Sequence, residues 1–217
     1  MRIGILGSGL MGGKLGTILA RAGHQVVFSY ARSREKLERL ARDAGGNARA
    51  GTPSEAVRDA DAVVLAVNWW HLDDVLAQAG DLSGRVVVTC SLPMGEDPHG
   101  LVIAHRSSGA EELARMLPGA AVVSALGSVP SEVLYAVFEA RDVDAPRPSL
   151  VYCGDDERAK EVAAQLIRDV GFDPVDAGPL RIARYVEPFT LLVAQLAYEG
   201  SEGPALAYRF EWREERG

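Results

Sequence analysis

The sequence predicts an α/β fold of the doubly wound kind, and three observations predict it. A short apolar run, Arg2–Leu6, ends in the loop Gly7-Ser8-Gly9-Leu10-Met11-Gly12. A segment with helical spacing follows that loop, and a second apolar run follows the segment. Over the first ninety residues, strand-like and helix-like segments keep alternating. Such alternation implies a parallel sheet covered on both faces and built by right-handed crossovers.

Taken in order, Arg2–Leu6 reads as a buried strand closed by glycine. Leu10–Ala22 spaces Leu10, Leu15, Ile18 and Leu19 as a helix does and stops at Gly23. Gln25–Ser29 is a second apolar strand, and Arg34–Asp43 a charged amphipathic helix ending at Gly45-Gly46. Pro53–Arg58 has the form of a short helix capped by Thr52 or Ser54. Asp61–Val67 is a strongly apolar strand, Trp69–Ala79 a helix and Arg85–Thr89 another strand.

Leu92–Ser107 differs, with Pro93, Gly95, Pro98 and Gly100 and no clear period. It is expected to be a loop with a short strand at Leu101–Ala104, leaving the C-terminal end of a strand, where substrate-contacting loops sit in open α/β sheets. Ser108-Gly109-Ala110-Glu111 has the capping-box form and opens a helix that ends near Pro118-Gly119. Ala121–Ala125 is a strand and Glu139–Pro148 a polar, proline-rich surface loop. Leu150–Cys153 is a strand, Asp155–Asp169 a helix and Phe172–Val175 a short strand.

After Gly178-Pro179 comes a long apolar helix, Ile182–Tyr198. Its Leu191, Leu192, Val193, Leu196 and Ala197 supply more apolar surface than one face needs. Such a helix either lies in the core or packs against a second subunit. The expected organisation is a dinucleotide-binding domain over residues 1–178 and a C-terminal helical segment over 179–217 that is available for a dimer contact.

Composition narrows the function. At 217 residues, with 47% hydrophobic and 24% charged residues, the chain has the mix of a soluble globular protein with one sizeable core. A net charge of −7 argues against a nucleic-acid partner, which needs a basic face. Cys90 and Cys153 are the only cysteines, which suits a reducing cytoplasm, and no metal-ligand spacing is present. No run of about 18 apolar residues suggests a membrane span.

The glycine loop points to a dinucleotide. Gly7 permits the tight turn, Gly9 lets the backbone approach a pyrophosphate, and Gly12 lets the helix pack close to the strand. The helix N-terminus then offers free N–H groups and a positive dipole end to phosphates. An NAD site usually closes the second strand with a carboxylate that holds the ribose 2′-hydroxyl. Here the strand runs Phe28-Ser29-Tyr30-Ala31-Arg32-Ser33-Arg34, with no carboxylate before Glu35. Arg32 and Arg34 are placed to pair with a 2′-phosphate, and Ser29 or Ser33 to donate hydroxyl hydrogen bonds, so NADP is expected. Two arginines at a helix start oppose the helix dipole unless an anion compensates them. Val67-Asn68-Trp69-Trp70-His71 follows the next long strand, so Asn68, Trp69 and His71 are expected near the ribose and nicotinamide, with at least one tryptophan in the core.

Five local motifs in this order resemble one family: the glycine loop, Asn68-Trp69-Trp70-His71, Val122-Val123-Ser124-Ala125-Leu126, Cys153-Gly154-Asp155-Asp156 and Asp176-Ala177-Gly178-Pro179-Leu180. The chain resembles, over nearly its whole length, the coenzyme F420-dependent NADP oxidoreductases and their bacterial relatives. The resemblance implies a doubly wound Rossmann sheet with a small C-terminal helical part, usually in a homodimer. It also implies hydride transfer between NADP(H) and a deazaflavin, with other small-molecule acceptors in some relatives. By position, it implies that Ser8, Leu10 and Met11 line the pyrophosphate, and that Ser29, Arg32 and Arg34 hold the 2′-phosphate. Trp69 and His71 would border the cofactor, Ser91, Leu92 and Pro93 would pass beside the nicotinamide, and Gly127 and Ser128 would lie near the second substrate. At Gly127-Ser128 the chain departs from the deazaflavin-using members, which carry a His-Thr pair, and a glycine there opens the pocket wall to a different or larger acceptor.

Hydride transfer to a flavin-like ring needs mainly stacking and alignment, whereas reduction of a small carbonyl or imine calls for a proton donor. Among His24, His71, His99 and His105, His71 is the best donor candidate and His24 reads as structural. Lys14, Lys36 and Lys160 all read as surface residues. The expected activity is therefore an NADPH-dependent oxidoreductase with a flavin-like acceptor such as coenzyme F420. The alternatives are a carbonyl or imine reductase and a non-catalytic NADP(H)-binding sensor.

Overall fold

Burial on both faces decides which apolar runs become central strands. In the computed structural model, which describes residues 1–95 and 100–213, those runs are β1 (Arg2–Leu6), β4 (Ala62–Leu65), β5 (Val86–Thr89) and β6 (Ala121–Ser124). Nearly every residue in them is buried. Together with β2 (Gln25–Ser29), β3 (Ala48–Ala50), β7 (Ser149–Gly154) and β8 (Asp173–Asp176) they form one sheet in the order β3-β2-β1-β4-β5-β6-β7-β8. The chain moves outward from β1 through β2 to β3, then crosses back to build β4, β5 and β6 on the other side of β1. The pair β1 and β4 is therefore the topological switch point, and it opens a crevice beyond Leu6 and Leu65.

Two apolar clusters clamp the sheet. One joins β1 and β2 to α1 (Leu10–Arg21), α2 (Arg34–Ala44), α6 (Leu134–Glu139) and α7 (Glu157–Val170) through Leu15, Ile18, Leu37, Leu134 and Ile167. The other joins the opposite face to α3 (Pro53–Arg58), α4 (Leu72–Ala79), α5 (Gly109–Met116) and the start of α8 (Ala183–Tyr198) through Val57, Val75, Leu113 and Ala183. The expected doubly wound α/β architecture is thus present. Among the described residues no helix is long and apolar enough to cross a membrane.

The differences from the sequence reading have local causes. The sheet is parallel from β3 to β6, but β7 runs antiparallel to β6 over two residue pairs and parallel to β8. Strand β3 escapes notice because its three residues, Ala48–Ala50, are at most half-buried and carry no apolar run. The strand expected at Leu101–Ala104 shrinks to a single bridge between Met94 and Leu101. Helix α3 is capped by Thr52, with the reciprocal Glu55 bond present. At α5 the Ser108 hydroxyl accepts from the Glu111 N–H, but the Glu111 carboxylate turns to the Ser108 hydroxyl and to Arg184 at 2.8 and 2.7 Å instead of completing a box. The C-terminal helix stops at Tyr198. The chain then returns along β7, where the Ser149 N–H donates to the Tyr208 carbonyl at 2.8 Å and the Phe210 N–H to the Ser149 hydroxyl at 2.9 Å.

One buried carboxylate ties the C-terminal helix to the sheet. Glu187 of α8 is 3% exposed and accepts the first N–H groups of α5, from Gly109 and Ala110, both at 2.9 Å. Burial pushes its carboxyl up to about 7, against the pull of those two donors. An acid whose folded pKa is raised contributes stability at low pH that is lost as pH climbs from its unfolded value toward the folded one. Relative to Glu187→Gln, the wild type is therefore expected to lose stability between pH 4.5 and about 7 and to level off above that. Urea unfolding of both proteins across this range checks it.

Candidate functional site: a cleft at the switch point

The glycine loop takes its shape from backbone bonds to the second strand. Gly7 has φ +103°, a left-handed conformation that side chains disfavour. Its N–H donates to the Ser29 carbonyl at 3.2 Å, and the Ser8 hydroxyl reaches the same oxygen at 2.9 Å. The Ser8 N–H donates to the Tyr30 carbonyl at 3.1 Å. A methyl at Gly12 would run into the Gly7 carbonyl, so only glycine lets α1 start this close to β1. Gly9 caps α1 without any side-chain bond, and the first turn holds no acidic residue. The positive end of a 12-residue helix is thus left for an anion.

The loop floors a cleft of about 1240 Å³, long enough for an extended ligand. Its lining includes Tyr30, Arg32, Arg34, Lys36 and Thr52 on the side of β2, with His71 and Asp74 close to Tyr30, and Trp69, Cys90, Ser91, Leu92 and Met94 on the side of β5. Gly7, Ser8, Gly9, Leu10, Met11 and Asn68 also line it. Three cations, Arg32, Arg34 and Lys36, gather where a dipole would repel them unless an anion were bound. Arg34 is held loosely by Glu38 at 3.0 Å across an exposed helix turn. The thiol of Cys90 is pushed up to about 12 by burial, which keeps it protonated and unreactive.

Several expected residues sit elsewhere. The Ser29 hydroxyl is fully buried and donates to the Ile5 carbonyl at 2.7 Å, so it fastens β2 to β1 and does not reach the cleft. Ser33 caps α2, accepting from the Lys36 N–H at 3.3 Å, and its own O–H remains free to donate. Pro93 packs with Trp69 around Gly109 and does not line the cleft. Trp69 is half-buried and packs against the core on the α3–α5 face, as expected of one tryptophan, while Trp70 is exposed. Gly127 and Ser128 line a separate cavity of only about 10 Å³. There a side chain on Gly127 would meet the Cys90 carbonyl at 3.1 Å, and the Ser128 hydroxyl lies 2.6 Å from that of Tyr208. The opening expected at Gly127 is therefore filled by the backbone after β5 and by the returning C-terminal chain.

The histidines and lysines sort themselves by their partners. His24 is structural: its Nδ1 lies 3.2 Å from the N-terminal amine and its Nε2 2.8 Å from Asp169. His71 stands at the cleft with its ring 6.3 Å from that of Tyr30. His105 is exposed, and His99 lies outside the described residues. Lys14 is half-buried, donating to the Ser131 carbonyl and hydroxyl at 3.0 and 3.1 Å. Lys160 is 7% exposed, its side chain covered by its two ion-pair partners at the surface, Glu157 and Asp176, at 3.0 and 2.9 Å. Lys36 belongs to the cleft. Sequence reasoning also passed over Tyr30, Thr52, Asp74 and Gln78, all of which line it. The signal for Lys36 was available: three cations in five residues at a helix start.

Residues 2–93 match the family described as NADP oxidoreductase, coenzyme F420-dependent. The family likeness expected from the motifs is borne out. The rat metalloreductase STEAP3 is 32% identical over 193 residues, which cover 88% of this chain. The chain spans only 36% of the length of that relative. The F420-dependent NADP reductase of Methanocaldococcus jannaschii is 29% identical over 213 residues, covering 90% of this chain and 92% of the archaeal one. In fold, a candidate F420-dependent NADP reductase from Arthrobacter sp. FB24 superimposes with a TM-score of 0.83 at 22% identity, over 98% of this chain and all of that one. The matched family and these two relatives are oxidoreductases.

The close approach of α1 to the glycine turn gives a direct test. Gly12→Ala is expected to cost about 1–3 kcal/mol of stability, the usual penalty of overpacking. Urea unfolding measures it, with Gly9→Ala as the comparison that should cost less, because nothing lies within 4 Å of a methyl there.

Proposed function

We propose that this chain is an NADP-dependent oxidoreductase that passes hydride between NADP(H) and a flavin-like acceptor such as coenzyme F420. The observation that carries this reading is the cation cluster Arg32, Arg34 and Lys36, which stands where an NAD site would hold a carboxylate, at the rim of a cleft floored by an uncapped helix N-terminus. A 2′-phosphate neutralises that cluster, and the pyrophosphate takes the N–H groups of Leu10 and Met11. The adenosine end then lies toward Tyr30 and Thr52, and the nicotinamide end toward Ser91 and Leu92. Ser91 is well fixed for that role: its hydroxyl accepts from the Val67 N–H at 3.2 Å, and its own N–H donates to the Thr89 hydroxyl at 3.2 Å.

When bound, the nicotinamide supplies the hydride chemistry, and the chain supplies alignment and exclusion of water. No protein acid is required for a deazaflavin acceptor, and His71, the donor candidate for a carbonyl or imine acceptor, lines the cleft beside Tyr30 at its adenosine end, which speaks against that role. The two curated relatives differ in their named activities, so the acceptor is the part to test. Spectrophotometry of NADPH oxidation with purified deazaflavin should show stoichiometric loss of NADPH and reduction of the acceptor. Tight NADPH binding with no transfer to any acceptor would favour a sensor instead.

The cofactor side has its own test. Arg32→Ala and Lys36→Ala should each weaken NADPH about tenfold or more and leave NADH unchanged, as expected for losing a charge-assisted bond. Equal losses for both dinucleotides in a fluorescence titration would contradict the 2′-phosphate assignment.

A homodimer through α8 also fits the surface. Tyr185, Leu192 and Leu196 are 64%, 54% and 54% exposed and share one helix face. Sedimentation at micromolar concentration should give twice the chain mass, and Leu192→Glu should give a monomer. Two unpaired thiols suit a reducing compartment such as the cytoplasm.

A further inference from the structure

One side chain crosses the cleft at its adenosine end. Tyr30 follows directly on β2 and has φ +55°, a conformation that costs a non-glycine residue about 1–2 kcal/mol. The strain is held at both ends. Its carbonyl accepts the Ser8 N–H of the glycine loop at 3.1 Å, and its hydroxyl donates to Asp74 Oδ2 on α4 at 2.6 Å. One helical turn on, the Gln78 amide donates to the same oxygen at 2.9 Å. Tyr30, Asp74 and Gln78 all line the cleft.

Asp74 stands in the first turn of α4, where the helix dipole favours a carboxylate, but it also lines the cleft. A carboxylate in a cleft built for a polyanion opposes binding unless it makes a compensating contact. The two donors keep it ionised: the bonds from Tyr30 and then Gln78, followed by the nearby His71, hold its carboxyl below the usual range. Both bonds fall on Oδ2, and Oδ1 accepts none among the described residues. An ionised carboxylate is an acceptor and nothing else. It therefore favours a partner that offers a hydrogen-bond donor and repels one that offers a carbonyl oxygen.

We propose that Asp74, fixed by Tyr30 and Gln78, reads the exocyclic amino group of the adenine base and so makes the cleft selective for an adenine dinucleotide over a 6-oxopurine one. This inference rests on the reading of the cleft as an NADP(H) site. Adenine presents an N6 amino donor, and a 6-oxopurine presents an oxygen acceptor at the same place. Arg32, Arg34 and Lys36 hold the phosphate, and the carboxylate across the cleft reads the base.

The test is a titration of NADPH and of its reduced hypoxanthine analogue, followed by nicotinamide fluorescence, on wild type, Asp74→Asn and Tyr30→Phe. Wild type should bind the adenine form about tenfold or more tightly. In Asp74→Asn the preference should fall to within about twofold, because a carboxamide can turn a donor toward the oxo group. Tyr30→Phe keeps the ring and removes the hydroxyl that fixes the carboxylate, and it should retain only part of the preference. Equal affinity for the two bases in wild type would overturn the inference. So would an Asp74→Asn variant that shifts both affinities by the same factor in either direction, which would mean that the residue only braces Tyr30 or only repels phosphate. Failure of wild type to bind either dinucleotide would instead defeat the reading of the cleft, and this inference with it.

Discussion

The tie between the glycine turn and the end of β2 is the constraint on which the rest of the site depends. Gly7, at positive φ, donates to the Ser29 carbonyl, and Ser8 adds two more bonds, to Ser29 and Tyr30. These bonds use up the donors at the start of the loop. The N–H groups that remain are those of Gly9 and of the first turn of α1, which has no capping side chain. The same tie sets where the chain leaves β2. It holds Tyr30 in a strained conformation and delivers Arg32, Arg34 and Lys36 to the rim. One set of short backbone bonds thus fixes the pyrophosphate floor and the phosphate-selecting rim together.

The other end of the cleft depends on the second half of the chain. Leu92 and Met94 leave β5 and lead to α5, whose first N–H groups are held by the buried Glu187 of α8. Bidentate bonds from Arg184 to Glu111 fix the same helix from the same neighbour. Below them the returning chain places Tyr208 against Ser128 and completes an aromatic group with Phe189 and Phe210. The C-terminal part therefore braces the segment on which an acceptor would rest.

Most of the architecture was legible because the central strands are short, apolar and ended by glycine or polar residues, and the helices between them keep their period. Ala48–Ala50 was not legible, since a short edge strand at most half-buried carries no apolar signal. The reversal at β7 was also hidden, because pairing direction leaves no mark in a strand buried along its whole length. Within the site, the glycine loop and the cations were readable from local chemistry. Ser29 misled because a hydroxyl near a ligand and a hydroxyl that donates to the backbone look alike in sequence, and this one donates to Ile5. Gly127 misled because the space beside it is taken by the backbone of Cys90 after β5, a neighbour distant in sequence, while Tyr208 closes on the adjacent Ser128. Asp74 and Glu187 act through partners distant in sequence, Tyr30 and the start of α5, and no local motif announces them.

A crystal structure of this protein with NADP⁺ bound tests the central claim most directly. The account predicts the pyrophosphate against the N–H groups of Leu10 and Met11, and the 2′-phosphate within hydrogen-bond reach of at least one of Arg32, Arg34 and Lys36. A cofactor lying in the reverse direction, or a 2′-phosphate directed to solvent with all three cations unengaged, would contradict it.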